Sequence, residues 1–225
     1  METFKAILCI IGACAFSYGL GSISFAIVFS KLFAKKDVRN FGSGNAGMTN
    51  VMRAVGILPG LLTFVFDALK GAAACLAAKH IFFPYVFEQG IHPWLNPVYG
   101  AYFCGLLCIL GHAFPVFFGF KGGKGIATSV GIFAVCCYPA IIAGIIVFAI
   151  FMIAFRIVSL GSIAAALTVV GVTYLTHSDV NPGFPTTPAF IITALIGLFV
   201  IIKHKDNIIR LINGEEKRLV VRKGE

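Results

Sequence analysis

The chain has 225 residues, of which 59% are hydrophobic and only 12% charged, with a formal net charge of +9 and a mean hydropathy of +0.95. That composition excludes a soluble domain, which would wrap one core in charge; here apolar runs recur from end to end and hydrocarbon is the solvent for most side chains. Seven cysteines (Cys9, Cys14, Cys75, Cys104, Cys108, Cys136, Cys137) lie in apolar runs without C-x-x-C spacing, which argues against a disulfide framework or a zinc site.

The amino-terminal apolar stretch lacks a basic n-region and a clear cleavage site and is long enough to span, so it is expected to stay attached as the first transmembrane helix. A crossing needs roughly 20 apolar residues. Candidates fall near 4–30, 55–79, 98–116, 126–138, 139–155, 160–177 and 187–203. The expected fold is therefore an all-α, polytopic integral membrane helix bundle of about seven transmembrane helices, forming a single domain over residues 1–225. Pro139 divides the apolar stretch 126–155, so a tilted, broken or re-entrant segment is open there, as is a count of five crossings.

By parity, segments 31–54, 117–125, 156–159 and 203–225 share one side and hold fifteen of the eighteen Lys and Arg residues. The positive-inside rule makes that side the cytoplasm, with the amino terminus outside and the carboxyl terminus cytoplasmic. Trp94, with Tyr99 and Tyr85 nearby, suits an interfacial aromatic belt on the other side.

The first inner segment reads FGSGNAGMTNVMRAVG, with Gly42, Gly44 and Gly47 among Ser43, Asn45, Thr49 and Asn50, and Arg53 following. Glycines let backbone amides converge, and Ser, Asn and Arg add donors, a combination suited to a phosphate oxyanion. The second, GHAFPVFFGFKGGKGIAT, sets Lys121 and Lys124 around Gly122 and Gly123, with Gly125 entering a helix that carries Thr128. It is not a Walker A loop, because Phe118 stands where that motif has glycine and Gly125 where it has Ser or Thr. The third, KHKDNIIRLINGEEKR, puts His204, Asn207 and Arg210 at i, i+3, i+6, where a continuing helix aligns them roughly on one face. An amphipathic juxtamembrane helix on lipid headgroups is by itself the commoner explanation of such a segment, and it is compatible with a functional one. An imidazole titrates near neutrality, so His204 is a candidate acid or base. A smaller cluster, RIVSLGSI, adds Arg156, Ser159 and Ser162 at a helix start. Asp67 and Lys70 lie at i, i+3 inside the second span, where a structural ion pair and a substrate contact are both open. Cys104, Cys108 and His112 share a helical face, read as close packing rather than a metal site.

Taken together, GSGNAGMTN with Arg53, then GHAFPVFFGFKGGKGIAT, then HKDNIIRLINGEE resemble the three cytoplasmic motifs of the bacterial acyl-phosphate:glycerol-3-phosphate acyltransferases, the PlsY family. GSISFAI, DALKG and RIVSLGSI extend the resemblance over essentially the whole chain. It implies a seven-helix enzyme of the bacterial cytoplasmic (inner) membrane, its active site facing the cytoplasm. The reaction implied is transfer of an acyl group from acyl phosphate to position 1 of glycerol 3-phosphate, giving lysophosphatidic acid. By the same resemblance Ser43, Asn45 and Arg53 form the first polar set; Gly122, Gly123, Lys124 and Gly125 form the phosphate loop; His204 and Asn207 form the third-motif pair; and Glu216 serves structural integrity. Lys205 and Asp206 replace the usual Arg and Glu between His and Asn.

The expected catalytic residues are Ser43, Arg53, His204 and Asn207. Gly42, Gly44, Asn45, Asn50, Lys121, Gly122, Gly123, Lys124, Gly125, Thr128, Ser159, Ser162 and Arg210 are expected to bind substrate. No Ser–His–Asp arrangement is apparent, so direct transfer is expected without an acyl-enzyme; the base is His204 or a substrate phosphate oxygen. None of the five histidines has Asp five residues later, the spacing of the acyl-CoA type of acyltransferase. Acyl phosphate, glycerol 3-phosphate and membrane lipids are the expected partners, with no cofactor, metal or nucleic acid. The rival reading is a membrane transporter of organic phosphate, although the glycine loops sit at one face and no internal repeat is evident.

Overall fold

The computed structural model describes residues 1–218, so Arg222 and Lys223, counted above among the inner Lys and Arg residues, lie outside the described residues. All regular elements among the described residues are helical, and two compact units divide the chain at Cys136–Cys137. The stretches Glu2–Ala34, Ile57–Glu88, Pro97–Phe118, Tyr138–Phe155, Val158–Val180 and Thr186–Lys203 are long and apolar enough to cross a membrane. The protein is thus a multi-pass membrane protein. The expected fourth crossing is the short helix Ile126–Cys136, of 11 residues.

The first unit opens with α1 (Glu2–Gly21) and α2 (Phe25–Ala34), where a single span over 4–30 was expected. The chain breaks at Ser22–Ser24, and neighbours take up the exposed backbone: Lys70 Nζ donates to the Ile23 carbonyl at 2.7 Å. A broken helix at membrane depth requires such partners, because lipid offers none. A short helix α3 (Met48–Ala54) precedes α4 (Ile57–Ala77), which runs through a π-turn at Ala78–Phe82 into α5 (Phe83–Glu88), beyond the expected end at residue 79. Helices α6 (Pro97–Ala113) and α7 (Ile126–Cys136) complete the unit.

Glycine brings these helices into backbone contact. A Cβ on Gly21 would fall on the Cys108 carbonyl, one on Gly111 on the Tyr18 carbonyl, and ones on Gly71 and Gly131 on the carbonyls of Thr128 and Ala68. Between membrane helices this close approach supplies the van der Waals attraction that the hydrophobic effect supplies in water. Cys104 and Cys108 are buried in the same packing, their thiols donating to the Ala13 and Lys70 carbonyls. Trp94 is exposed as an interfacial residue would be, whereas Tyr99, expected beside it in the aromatic belt, is buried in the first turn of α6.

The second unit holds α8 (Tyr138–Phe155), α9 (Val158–Val180), α10 (Thr186–Lys203) and α11 (Lys205–Ile212). Pro139 sits in the first turn of α8, where its missing N–H leaves no bond unmade. Gly144 of α8 faces Val169 of α9, while Ile142, Ile145, Ile146, Ile150 and Ile153 are exposed, as a lipid-facing surface requires.

Candidate active site

Residues 35–47 join α2 to α3 and are shaped by side chains. Asp37 accepts the Arg39 amide at 3.0 Å, capping the 3-10 turn Val38–Asn40, and pairs with the Arg39 guanidinium at 2.8 Å. The guanidinium's hydrogen bonds hold Asp37 below the usual carboxylate range against the opposing effect of burial, and Asp37 raises Arg39 in turn. At the centre of the loop is buried Asn50, whose Oδ1 accepts the Ser43 amide at 3.1 Å and whose Nδ2 lies 3.0 Å or less from the carbonyls of Val38, Phe41 and Asn45. Gly42 and Gly44 have φ of +60° and +69°, and a Cβ on Gly42 would fall on Asn50 Oδ1. Asn50, expected against substrate, is therefore spent on giving the loop its shape. Asn45 is half-buried beside it. Ser43 is exposed on the loop and Arg53 on α3, and the Arg53 guanidinium makes no hydrogen bond or ion pair among the described residues.

The second loop doubles back along the end of α6. Gly122 and Gly123 donate their amides to the carbonyls of Ala113 and His112 at 3.2 and 3.1 Å, and a Cβ on either would collide with that helix end. These two glycines, expected to offer N–H groups to a phosphate, instead satisfy the last carbonyls of α6 and allow a contact too close for a side chain. The donors left for an anion are the first-turn amides of α7, which have no intrahelical acceptor, and Gly125, at φ +89°, leads into that turn. Lys121 is exposed and Lys124 half-buried at the same place. Thr128 is fully buried beside Gly71 at the α4–α7 contact, which withdraws its hydroxyl from the loop surface.

The two loops are fastened together. Arg39 Nη1 donates to the Phe118 carbonyl at 2.6 Å, and Phe118 packs against the buried cluster of Ala26, Ile27, Val38, Ala46 and Val51. Between the loops opens a cavity of about 440 Å³ lined by Arg39, Asn40, Gly44, Phe118, Gly119 and Lys121. Only Gly44 and Lys121 of these six were singled out in the sequence. The Asp37–x–Arg39 spacing was the available signal for the fastening, because a carboxylate two residues before an arginine can cap a turn and hold the guanidinium at once.

In the second unit, α10 stops at His204 and α11 begins at Lys205, so the expected continuous face is interrupted. Buried His204 turns its Nδ1 back to the Val200 carbonyl at 2.7 Å, which makes Nδ1 the donor and Nε2 the basic nitrogen. Asn207 and Arg210 do share a face, organised by Glu216. Its Oε1 accepts from Ser159 Oγ at 2.8 Å and from Asn207 Nδ2 at 2.6 Å, and its Oε2 accepts from Arg210 Nε at 2.6 Å. Burial pushes the Glu216 carboxyl up, but these hydrogen bonds outweigh it and leave the group below the usual carboxylate range. Ser162 is buried one turn further along α9.

Residues 11–214 match the family model described as glycerol-3-phosphate acyltransferase. The chain is 38% identical over 204 residues to glycerol-3-phosphate acyltransferase 2 of Bacillus anthracis, covering 91% of this chain and 96% of that one. With the glycerol-3-phosphate acyltransferase of Aquifex aeolicus strain VF5 it shares 41% over 204 residues, 90% and 95% of the two chains. Its structure is similar, with a TM-score of 0.78 and 37% identity over 96% of both chains, to the glycerol 3-phosphate form of PlsY, an integral membrane glycerol 3-phosphate acyltransferase. The lysophosphatidic acid form of that enzyme matches with a TM-score of 0.75 and 36% identity over 96% of both chains. With the family model matching residues 11–214 and relatives at this identity over nine-tenths of the chain, on top of two fastened glycine loops, the chain belongs to the glycerol-3-phosphate acyltransferase family.

Proposed function

We infer that this protein transfers a fatty acyl group from acyl phosphate to the 1-hydroxyl of sn-glycerol 3-phosphate, releasing lysophosphatidic acid and phosphate, the entry step of phospholipid synthesis. The observation that carries the reading is the pair of glycine loops, held together by Arg39, with Lys121 at the cavity between them and the opening turn of α7 beside it. Both substrates are phosphate-bearing, and phosphate is already a good leaving group. The protein's task is therefore to bind two anions, orient them and stabilise charge, without a covalent intermediate.

Arg53 and Ser43 take the acyl phosphate and the negative charge that grows on it during attack. Lys121, Lys124 and the opening turn of α7 hold the phosphate of glycerol 3-phosphate so that its 1-hydroxyl faces the acyl carbonyl. Asn50, Gly42, Gly44, Asn45, Gly122, Gly123 and Gly125 act one step back, by shaping the loops that present these groups. From the second unit, Asn207 donates to a substrate oxygen, with Ser159, Ser162, Arg210 and Glu216 setting its orientation, and His204 Nε2 or a substrate phosphate oxygen takes the hydroxyl proton. The chemistry is assigned to the cytoplasmic face of the bacterial inner membrane, where the excess of Lys and Arg falls by parity, with the amino terminus outside. The acyl tail enters from the surrounding lipid, and residues 1–225 serve as a single acyltransferase domain.

Protein purified in detergent and given palmitoyl phosphate and glycerol 3-phosphate should release phosphate and lysophosphatidic acid in equal amounts. Uptake of glycerol 3-phosphate into proteoliposomes without acyl transfer would replace this reading with transport.

A further inference from the structure

Below the two loops, inside the first unit, lies a charged group that the chemistry above does not use. Asp67 and Lys70 on α4 and His112 in the last turn of α6 are 1%, 3% and 4% exposed. Lys70 Nζ is 2.8 Å from Asp67 Oδ1, 3.1 Å from His112 Nδ1 and 2.7 Å from the Ile23 carbonyl, whereas His112 Nδ1 is 3.6 Å from Asp67. An ammonium has donors only. His112 Nδ1 must therefore accept from Lys70, since two donors facing each other at that distance would repel, and the ring proton sits on Nε2.

Two of the three contacts of Lys70 lie on segments that lead to the loops. Ile23 lies in the break that precedes α2, and α2 leads into the first loop. His112 is next to the last residue of α6, and its carbonyl receives the Gly123 amide of the second loop. On the far side of the ring, the place a Gly123 Cβ would take lies against His112 Nε2 and 2.6 Å from the Ala46 carbonyl of the first loop. The imidazole thus separates the ion pair from the meeting point of the loops.

Packing alone does not call for this group, since α1–α6 and α4–α7 meet through glycine and buried charge is costly in a membrane helix. We propose that Lys70, Asp67 and His112 form a positioning network for acyl transfer: the ion pair holds His112 as its Nε2–H tautomer, and the ring sets the spacing of the two glycine loops. The three side chains carry no net charge and are shut off from substrate, so they act through geometry.

The kinetic arm rests on the acyltransferase reading and the spectroscopic arm does not, so the two fail separately. In the full-length protein, ¹⁵N-histidine NMR should show His112, assigned by loss of its signal in His112→Asn, with a protonated Nε2 and an unprotonated Nδ1. A protonated Nδ1 overturns the proposal, and this arm reads the wild-type ring whatever the charge variants do. Replacing both charges, Asp67→Asn with Lys70→Met, avoids leaving one buried ion alone but also removes the donor to the Ile23 carbonyl, so the folded, active fraction is measured with the kinetics. Its kcat/KM for glycerol 3-phosphate should fall by on the order of 10²-fold, with KM raised, because a small misplacement of an orienting loop is felt at the reaction centre. His112→Asn keeps an acceptor for Lys70 and should retain more activity than His112→Ala. Wild-type kcat and KM in the double variant, or loss confined to unfolding temperature and active fraction with KM unchanged, would reduce the network to a structural ion pair.

Discussion

Replacing Gly123 by alanine isolates the claim that this glycine serves close approach rather than amide donation to a phosphate. The new Cβ would land on His112 Nε2, 2.6 Å from the Ala46 carbonyl oxygen and 2.8 Å from His112 Cε1. Carbon–oxygen contacts settle at about 3.3–3.6 Å, so the loop must retreat by roughly 1 Å from at least one of two backbone-anchored neighbours. Overpacking of that kind costs about 1–3 kcal/mol of stability. The catalytic cost should be larger than the stability change suggests, since misplacing an orienting group by about 1 Å removes on the order of 10²-fold in rate, equivalent to about 2.7 kcal/mol of barrier. Initial rates of phosphate release against glycerol 3-phosphate concentration, alongside the unfolding midpoint in detergent, measure both. Gly171→Ala is the control: that glycine of α9 has open space around its Cβ position, so activity should stay at the wild-type level. A Gly123→Ala protein with wild-type kcat/KM for glycerol 3-phosphate would refute the geometric account of the loop.

Arg53→Ala should lower kcat by about 10²–10³-fold with palmitoyl phosphate as donor, and full turnover would clear Arg53 of charge stabilisation. Lys124→Ala should chiefly raise the KM for glycerol 3-phosphate, and an unchanged KM would take Lys124 out of that site. Glu216→Gln should cost about 2–3 kcal/mol at neutral pH, counting the charge-assisted bonds from buried Ser159 and Asn207 and discounting the third of Arg210 that water screens. Because the folded-state carboxyl lies below its unfolded value near 4.3, that stabilisation is whole above the unfolded value and disappears as pH falls through the folded one. Wild type and Glu216→Gln should therefore converge in unfolding midpoint on acidification, and a gap that stays constant would contradict the hydrogen-bonded carboxylate. In a cysteine-free background, cysteines at positions 53, 124 and 207 should all be labelled from the cytoplasmic side of cells, and labelling from opposite sides would end the enzymatic assignment.

Periodicity and run length were enough to find every long helix to within a few residues, because twenty apolar residues in lipid have no alternative to satisfying their own backbone. The exceptions are instructive. The break at Ser22–Ser24 is held from outside, by Lys70 on the Ile23 carbonyl, and nothing within residues 4–30 announces a donor that lies in α4. The α4 stretch runs on through a π-turn to Glu88 because Phe83 and Val86 are buried on their neighbours. His204 interrupts the α10–α11 face for a similar reason, its Nδ1 being drawn back to Val200.

By itself, the order of residues determined that this is a membrane protein of helices with glycine and basic clusters at alternate connections, and the combination of three motifs identified the family. Those properties are additive along the chain: hydropathy, charge asymmetry and motif spacing need no knowledge of neighbours. Only the tertiary structure decided which polar groups are available. Asn50, Gly122 and Gly123 turned out to be bound to the protein's own backbone, and Asp37 with Arg39 to fasten one loop to the other. Asp67 and Lys70 met His112 forty-two residues after Lys70. Whether a donor points at a ligand or at its own fold depends on what lies opposite, and that is set by packing between distant segments rather than by local sequence.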